Sequence, residues 1–154
     1  MEKELDETDL KILKILQSNA RMAVKQIAAE VNLSSPAVSA RIARMEEHDI
    51  ICEYQTKLNY HLFGYFIKAF INLEVEPKQK PEFYPYIKSV PNVIECNCVT
   101  GEYAMLIEVA FRKTEELDKF INELQHFGKT RTQIVFSTSV EHRNMPVLLQ
   151  PEGQ

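Results

Sequence analysis

The sequence predicts an α+β protein of two small domains, and three observations lead to that prediction. Over the first sixty residues, apolar side chains recur at helical spacing. From Tyr65 onward, apolar and β-branched runs typical of strands alternate with helical ones. The pattern changes character near residues 58–64. We therefore expect a helical domain with its linker over 1–60, a mixed domain over 61–142 and a C-terminal tail over 143–154.

Length, composition and charge narrow the class of protein. The chain has 154 residues, of which 18 are basic and 22 acidic, so its formal charge is −4. Hydrophobic residues at 45% and charged residues at 26% are typical of a globular protein with a buried core, and exclude a disordered or fibrous chain. DNA-binding domains are usually strongly basic. Any contact with DNA therefore has to come from a local concentration of positive charge.

The apolar runs, the first residues and the cysteines indicate the cellular compartment of the protein. Apolar runs stay below the roughly 18 residues that a membrane span needs, and residues 1–6 are acidic where a secretion signal would be basic and then apolar. The three cysteines are an odd number for a disulfide framework. We expect a cytoplasmic protein with free thiols and no membrane association.

The N-terminal domain is predicted to begin with two helices. The first opens near Leu5, and Asp6 and Asp9 face the positive end of its dipole. The second spans 24–31, where apolar residues recur on one face. Asn32 follows, and asparagine tolerates the left-handed conformation that ends many helices.

A third helix follows after a turn of three residues, 32–34. Its start is marked by a serine cap and by a proline whose missing N–H has no cost in the first turn: Ser34 or Ser35, and Pro36. Helices joined by so short a turn are typical of a helix-turn-helix. The apolar, small and turn positions of that motif are occupied as expected by Ile27, Ala28, Val31, Asn32, Leu33 and Val38.

The outward face of the third helix is predicted to bind DNA. Short side chains let a helix enter the major groove, while hydroxyl and guanidinium groups reach phosphates and base edges. Residues 19–45 hold four basic residues and one acid, a local charge of +3 against −7 for the rest of the chain. The candidate DNA-binding residues are Arg21, Lys25, Ser34, Ser35, Pro36, Ala37, Ser39, Ala40, Arg41 and Arg44. A three-helix interaction or linker domain is the alternative.

Within this set, the arginines and the lysine have different expected roles. We expect Arg41 and Arg44 to make most of the polar contacts with DNA, and Arg44, which points most directly outward on the predicted third helix, to contact bases. Arg21 and Lys25 are expected to contact phosphates and to make the affinity sensitive to salt.

The second domain has the order βαββαβ. The predicted elements are a strand over 65–76, a helix over 80–89, strands over 93–100 and 103–111 with a tight turn at 101–102, a helix capped by Thr114 and ended by Gly128, and a strand over 130–140. This order predicts a ferredoxin-like sandwich, with two helices on one face of an antiparallel sheet. Apolar residues on both sides of the first strand predict a homodimer. A monomer with a half-solvated sheet is the alternative.

Short motifs follow one another along nearly the whole chain. The N-terminal ones are Leu5-Asp6-x-x-Asp9-x-x-Ile12-Leu13, Asn19-Ala20-Arg21, Ile27-Ala28, Leu33-Ser34, Arg41-Ile42-x-Arg44-Met45-Glu46 and Ile50-Ile51 with Tyr54. The C-terminal ones are Pro91-Asn92-Val93-x-Glu95-Cys96 and Val99-Thr100-Gly101-Glu102-Tyr103. In order and spacing they resemble the Lrp/AsnC family (leucine-responsive and asparagine-synthase regulators, feast/famine) of bacterial and archaeal transcription factors.

The resemblance implies a regulator of the winged helix-turn-helix type that binds double-stranded DNA, assembles as dimers, tetramers or octamers, and responds to a free amino acid. In such proteins the effector sits between subunits near one loop, which here comprises Val99, Thr100, Gly101, Glu102, Tyr103 and Ala104. Backbone amides around a glycine can hold a carboxylate, and an acid can hold an ammonium group. A plain hairpin turn would also favour Gly101, and that alternative stays open.

Two positions depart from the family pattern. Ala104 stands where the family usually has an aspartate, so either Glu102 or another side chain binds the effector's ammonium group, or no effector binds. Asp49 stands where a glycine is common before the wing-like strand. Aspartate tolerates the left-handed conformation, so we expect this turn to form.

Other chemistries find little support in the sequence. Cys96 and Cys98 lie two apart on a strand, without the Cys-x-x-Cys or His-x-x-x-His pair of a metal site. Phosphate-binding loops and nucleophile motifs are also missing. We expect no catalytic residue, no metal and no cofactor beyond an amino-acid effector. The alternative is a ferredoxin-like small-molecule-binding protein or enzyme whose N-terminal helices serve as an interaction module; it would leave the local charge of +3 unexplained.

Overall fold

The computed structural model describes residues 5–147. Residues 1–4 and 148–154, which include the end of the predicted tail, lie outside the described residues. The described chain divides into two compact units, one formed by 5–56 together with 141–147 and the other by 57–140. Within 5–147, no helix is long and apolar enough to cross a membrane.

The first unit contains α1 (Glu7–Ser18), α2 (Val24–Val31) and α3 (Ser35–Glu47). A capping box starts α1, where the N–H of Asp9 donates to the Asp6 carboxylate and the N–H of Asp6 donates to the Asp9 carboxylate. The predicted serine cap of α3 is confirmed, because the N–H of Ala37 donates to Ser34 Oγ. The predicted bounds of α2 are confirmed as well.

Two non-glycine residues of the described chain adopt the left-handed backbone conformation. Asn32 ends α2 with a φ of 55°, and Asp49 follows α3 with a φ of 54°. The expectations for both positions are confirmed. The helices close over a core of apolar side chains formed by Ile12, Ile27, Ala28, Val38 and Met45.

The chain after α3 differs from the sequence-based expectation. Residues 52–59 are described and contain no strand, so the wing-like strand is not formed there. A β-strand forms only where a second strand lies beside it and exchanges backbone hydrogen bonds with it. A short 3₁₀ helix, Tyr60–Phe63, and Gly64 lead into the sheet of the second unit.

The second unit contains β1 (Ile67–Val75), α4 (Lys80–Ser89), β2 (Val93–Cys98), β3 (Met105–Phe111), α5 (Thr114–Leu124) and β4 (Gly128–Ile134). The strands form one antiparallel sheet in the order β2-β3-β1-β4, and the predicted βαββαβ order is confirmed. Side chains alternate along each strand. Ile71 and Leu73 of β1 therefore pack against the helices, while Lys68 and Asn72 lie on the opposite face.

Two terminus assignments in the second unit are wrong. Thr114 does not cap α5: it is already the first helical residue, and Lys113 precedes it without a side-chain cap. Gly128 does not end α5 but begins β4. A Cβ at Gly128 would lie 1.7 Å from the carbonyl oxygen of Glu74. The glycine is needed because β4 approaches β1 closely at this point.

The strands are also shorter than predicted. β4 ends at Ile134 rather than at residue 140, because Ile134 pairs with Ala69 and β1 begins only two residues earlier in the chain. Beyond that point the chain has little left of β1 to pair with. β2 ends at Cys98 and β3 begins at Met105, so a longer connection replaces the predicted tight turn.

Candidate nucleic-acid interface and effector loop

The predicted DNA-binding face of α3 consists of short side chains. Val38 and Met45 are buried and hold the helix on the core. The side chains on the other side are exposed at Ser34, Pro36, Ser39 and Ala40 and half-buried at Ser35 and Ala37. A helix with such short side chains can bring its backbone close to the floor of a major groove.

The two arginines of α3 bind a carboxylate of α1. Arg41 Nη1 lies 2.8 Å from Asp9 Oδ1, and Arg44 Nη2 lies 2.5 Å from Asp9 Oδ2. Arg41 Nη1 also lies 2.6 Å from Asp6 Oδ2. Arg44 is the more exposed of the two arginines, as expected, but its guanidinium is paired with Asp9 rather than free. A buried carboxylate needs a cation beside it, and the guanidinium of Arg44 supplies one.

These contacts bury the side chain of Asp9 and shift the pKa values of Asp6 and Arg41. The side chain of Asp9 is 1% exposed, whereas Arg41 is 28% and Arg44 45% exposed. The N–H of Asp9 and the guanidinium of Arg41 hold the pKa of Asp6 below its usual value. Hydrogen bonds to the carboxylates of Asp6 and Asp9 raise the pKa of Arg41. Arg41 is thus held in its charged form by the two carboxylates that it contacts.

Asp9 is the residue of this surface that sequence reasoning missed. Its position in the first turn of α1 indicated only an interaction with the helix dipole. A signal was available, because Arg41 and Arg44 are three residues apart and share one face of α3. The sequence does not show which carboxylate faces them.

Arg21 lies in the turn before α2, Lys25 lies in the first turn of α2, and both are exposed. Among the described residues, neither side chain has an ion-pair partner. The N–H of Arg21 donates to Asn19 Oδ1 at 3.1 Å, which orders the turn before α2. When Asp6 and Asp9 are counted with residues 19–45, the charge of +3 falls to +1. Unpaired positive charge is thus found at Arg21 and Lys25 rather than on α3.

The predicted effector loop connects β2 to β3 as an exposed turn. The N–H of Val99 donates to the carbonyl oxygen of Ala104 at 2.9 Å and closes the loop. Gly101 has a φ of 120°, and a Cβ there would meet open space. Ala104 packs against the core and has no polar side-chain group. The backbone around Gly101 is thus the accessible part of the loop.

One ion pair borders this loop. Lys129 Nζ of β4 lies 3.9 Å from Glu102 Oε1, and both side chains are exposed. Thr100 is also exposed, and Tyr103 is half-buried. Lys129 was not among the predicted residues, because only the strand order brings β4 to this loop. A carboxylate and an ammonium group side by side complement the two charged groups of a free amino acid.

The cysteines of β2 lie on the helix side of the sheet. Cys96 pairs with Ile107 and Cys98 with Met105 in the neighbouring strand. Burial raises the pKa of the Cys96 thiol, and the nearby Cys98 adds to the effect. Over residues 5–147, no three side chains of the metal-binding types come together as a metal site would require.

Family models match both units. Residues 5–46 match the AsnC-type helix-turn-helix domain, and residues 68–145 match the Lrp/AsnC ligand binding domain. The chain is 32% identical over 138 residues to the HTH-type transcriptional regulator YezC of Bacillus subtilis, covering 90% of this chain and 98% of YezC. It is 30% identical over 132 residues to LrpA of the same organism, covering 85% and 97%.

Solved structures share the fold. The structure of Escherichia coli AsnC has 26% identity and a TM-score of 0.83, covering 92% of this chain and 98% of AsnC. A transcriptional regulator from Neisseria meningitidis in complex with L-methionine has 25% identity and a TM-score of 0.84, covering 91% and 94%. A helix-turn-helix joined to a ligand-binding domain of this kind defines an HTH-type transcriptional regulator. The chain belongs to the Lrp/AsnC family.

Proposed function

We propose that this protein regulates transcription by placing α3 in the major groove of a specific DNA site. The observation that carries the proposal is the exposed face of α3, which consists of short side chains and is called the short-sided face below. The turn at Asn32 and the cap at Ser34 position this face after α2. In the complex, that face meets base edges and nearby phosphates through Ser34, Ser35, Pro36, Ala37, Ser39 and Ala40. Arg21 and Lys25 contact phosphates. In this proposal the protein acts in the cytoplasm and has no catalytic role.

Selection from a random duplex library, followed by titration with the selected duplex, tests the DNA proposal. We expect a roughly palindromic site whose halves are about 10 base pairs apart or a multiple of that distance. Ala40→Glu is expected to weaken binding at least about tenfold, because it puts bulk and negative charge on the groove-facing side. Ser139→Glu adds the same charge to an exposed position of the second unit and serves as the control. Enrichment of no sequence, or equal effects of the two variants, would contradict the proposal.

We further propose that a free amino acid binds at the loop 99–104. In this proposal the ligand's ammonium group binds Glu102, which substitutes for the aspartate that the family usually has at the position of Ala104. The ligand's carboxylate faces Lys129 and the N–H groups around Gly101. The support is the ion pair of Glu102 with Lys129 beside open backbone. The adjacent Val99, Thr100 and Tyr103 would border the ligand.

A thermal-shift screen with the twenty amino acids tests the effector proposal. L-methionine belongs in it because the neighbour from Neisseria meningitidis holds that ligand. A ligand at about 100 times its Kd adds close to 3 kcal/mol to the free energy of unfolding, which raises the melting temperature. Glu102→Gln is expected to remove the shift. A screen in which no amino acid raises the melting temperature, while DNA still binds, would make the loop structural.

The assembly in this proposal is a homodimer or a tetramer or octamer built from dimers. Apolar side chains of the second unit stay exposed in the single chain, most of all Phe136 at 100% and Leu62 at 82%. A symmetric dimer carries two copies of α3 and so matches a palindromic site.

A further inference from the structure

Asp9 is the one charged residue among the buried residues of the described chain. Both of its carboxylate oxygens are occupied. Oδ1 accepts from Arg41 Nη1, while Oδ2 accepts from Arg44 Nη2 and from the N–H of Asp6. A buried carboxylate with this set of donors is stable only while the donors stay in place.

Ion pairs with Asp9 therefore hold Arg41 and Arg44 against α1. If Arg44 swung out to meet a phosphate, Asp9 Oδ2 would keep only the N–H of Asp6, at 3.2 Å. Arg41 is tied more firmly, because its Nη1 also bonds Asp6 Oδ2 at 2.6 Å. Removing one partner of a buried ion pair is strongly unfavourable, since the other charge is left without compensation.

The ties also set the rotation of α3 about its own axis. Arg41 and Arg44 are almost one helical turn apart, so two guanidinium groups at different heights bind a single carboxylate. Ser39 and Ala40 lie on the exposed side of the same helix. Rotation of α3 would break at least one of the two ion pairs, so the position of the short-sided face depends on Asp9.

We propose that Asp9 is a positioning residue for the recognition helix, and that Arg41 and Arg44 hold α3 against α1 without neutralising any phosphate in the DNA complex. The inference rests on the proposed DNA-binding function and deepens it. Specificity then comes from the short side chains of α3 and from DNA shape. The salt-sensitive part of the affinity comes from Arg21 and Lys25.

The salt dependence of DNA binding tests this division of roles. Each phosphate contact contributes about 0.9 to the slope of log K against log salt concentration. The binding of the full chain to its selected duplex is measured by fluorescence anisotropy at several KCl concentrations. Lys25→Gln is expected to lower the magnitude of the slope by about one per bound subunit. Arg41→Gln and Arg44→Gln are expected to leave the slope at the wild-type value.

Thermal unfolding of the same variants tests the positioning role. Either arginine variant leaves Asp9 one guanidinium, so we expect both to fold and to melt below the wild type. If one of them fails to fold, the other gives the slope. In the double variant Asp9→Asn with Arg44→Gln, we expect the melting temperature to fall by less than the sum of the two single changes, because the residues interact directly.

The outcomes separate the two proposals. A slope that falls for Arg41→Gln or Arg44→Gln as it does for Lys25→Gln would overturn the inference, and so would additive melting shifts of Asp9→Asn and Arg44→Gln. Failure of the wild-type chain to bind any duplex would refute the proposed function alone. In that event the coupling between Asp9 and Arg44 still decides whether Asp9 positions α3.

Discussion

Gly128 shows that the absence of a single Cβ atom allows two strands to pair. A Cβ at this position would lie 1.7 Å from the carbonyl oxygen of Glu74. We expect Gly128→Ala to lower the free energy of unfolding of the second unit by about 2 kcal/mol or more, because the strands must separate to admit the methyl group.

Gly101→Ala is the matched control for Gly128→Ala. Gly101 also has a positive φ, 120°, but a Cβ there meets open space. Its replacement should cost only the conformational strain, about 1 kcal/mol. Urea denaturation of both variants gives the difference, and equal losses would show that crowding against Glu74 is not the cause.

The carboxylate of Asp6 makes the stability of the first unit depend on pH. Its pKa lies below the usual value because the N–H of Asp9 and the guanidinium of Arg41 favour the charged form. A lowered pKa in the folded state means that Asp6 contributes stability above about pH 4, and that this contribution is lost as the pH falls through the lowered pKa.

Chemical denaturation at neutral and acid pH tests the role of Asp6. Asp6→Asn is expected to reduce the dependence of stability on pH over that range. Glu7→Gln, a change at the next and more exposed residue, is the control and should follow the wild type more closely. An unchanged profile for Asp6→Asn would contradict the assignment.

At the scale of elements, the turn from α2 to α3 depends on the left-handed conformation of Asn32. Asn32→Ala is expected to lower the stability of the first unit by about 1 kcal/mol, since alanine adopts that conformation less readily. Asn32→Gly should be neutral or stabilising, because glycine adopts it without strain. Thermal melting of the two variants checks this, and a similar loss in both would point to the side chain of Asn32 instead.

Local sequence patterns predicted most elements. The bounds of α2 and α4 follow from helical spacing and from turn residues at their ends, and the βαββαβ order follows from the alternation of strands and helices. The end of β4 and the place of Gly128 could not be predicted in this way. Both depend on where β1 lies beside β4, which is a pairing between distant segments.

At the scale of the whole molecule, the exposed apolar side chains of the second unit predict association. Phe136→Glu is expected to shift the chain to smaller species in sedimentation velocity, because it places a charge in an apolar contact. Ser139→Glu adds the same charge at another exposed position and should leave the distribution as in the wild type. A wild-type chain that sediments as a monomer would contradict the proposed dimer.

The charge of the molecule was predicted only in part. The sequence shows a local charge of +3 in a chain of −4, and so predicts DNA affinity that is modest for each subunit, sensitive to salt and dependent on assembly. The structure shows that Asp6 and Asp9 pair with Arg41 and Arg44. Less of that charge is therefore free to meet DNA than the residue count indicates.

The sequence by itself determined the fold class, the helix-turn-helix and the position of the loop 99–104 between β2 and β3. These depend on spacing, caps and turn residues, which act over a few neighbouring residues and are visible along the chain. Only the tertiary structure decided that Asp9 binds Arg44, that Glu74 requires Gly128 and that Lys129 faces Glu102. In each of these pairs the residues are more than twenty positions apart. Many residues of suitable chemistry could pair at such separations, and the packing of the core selects the ones that meet.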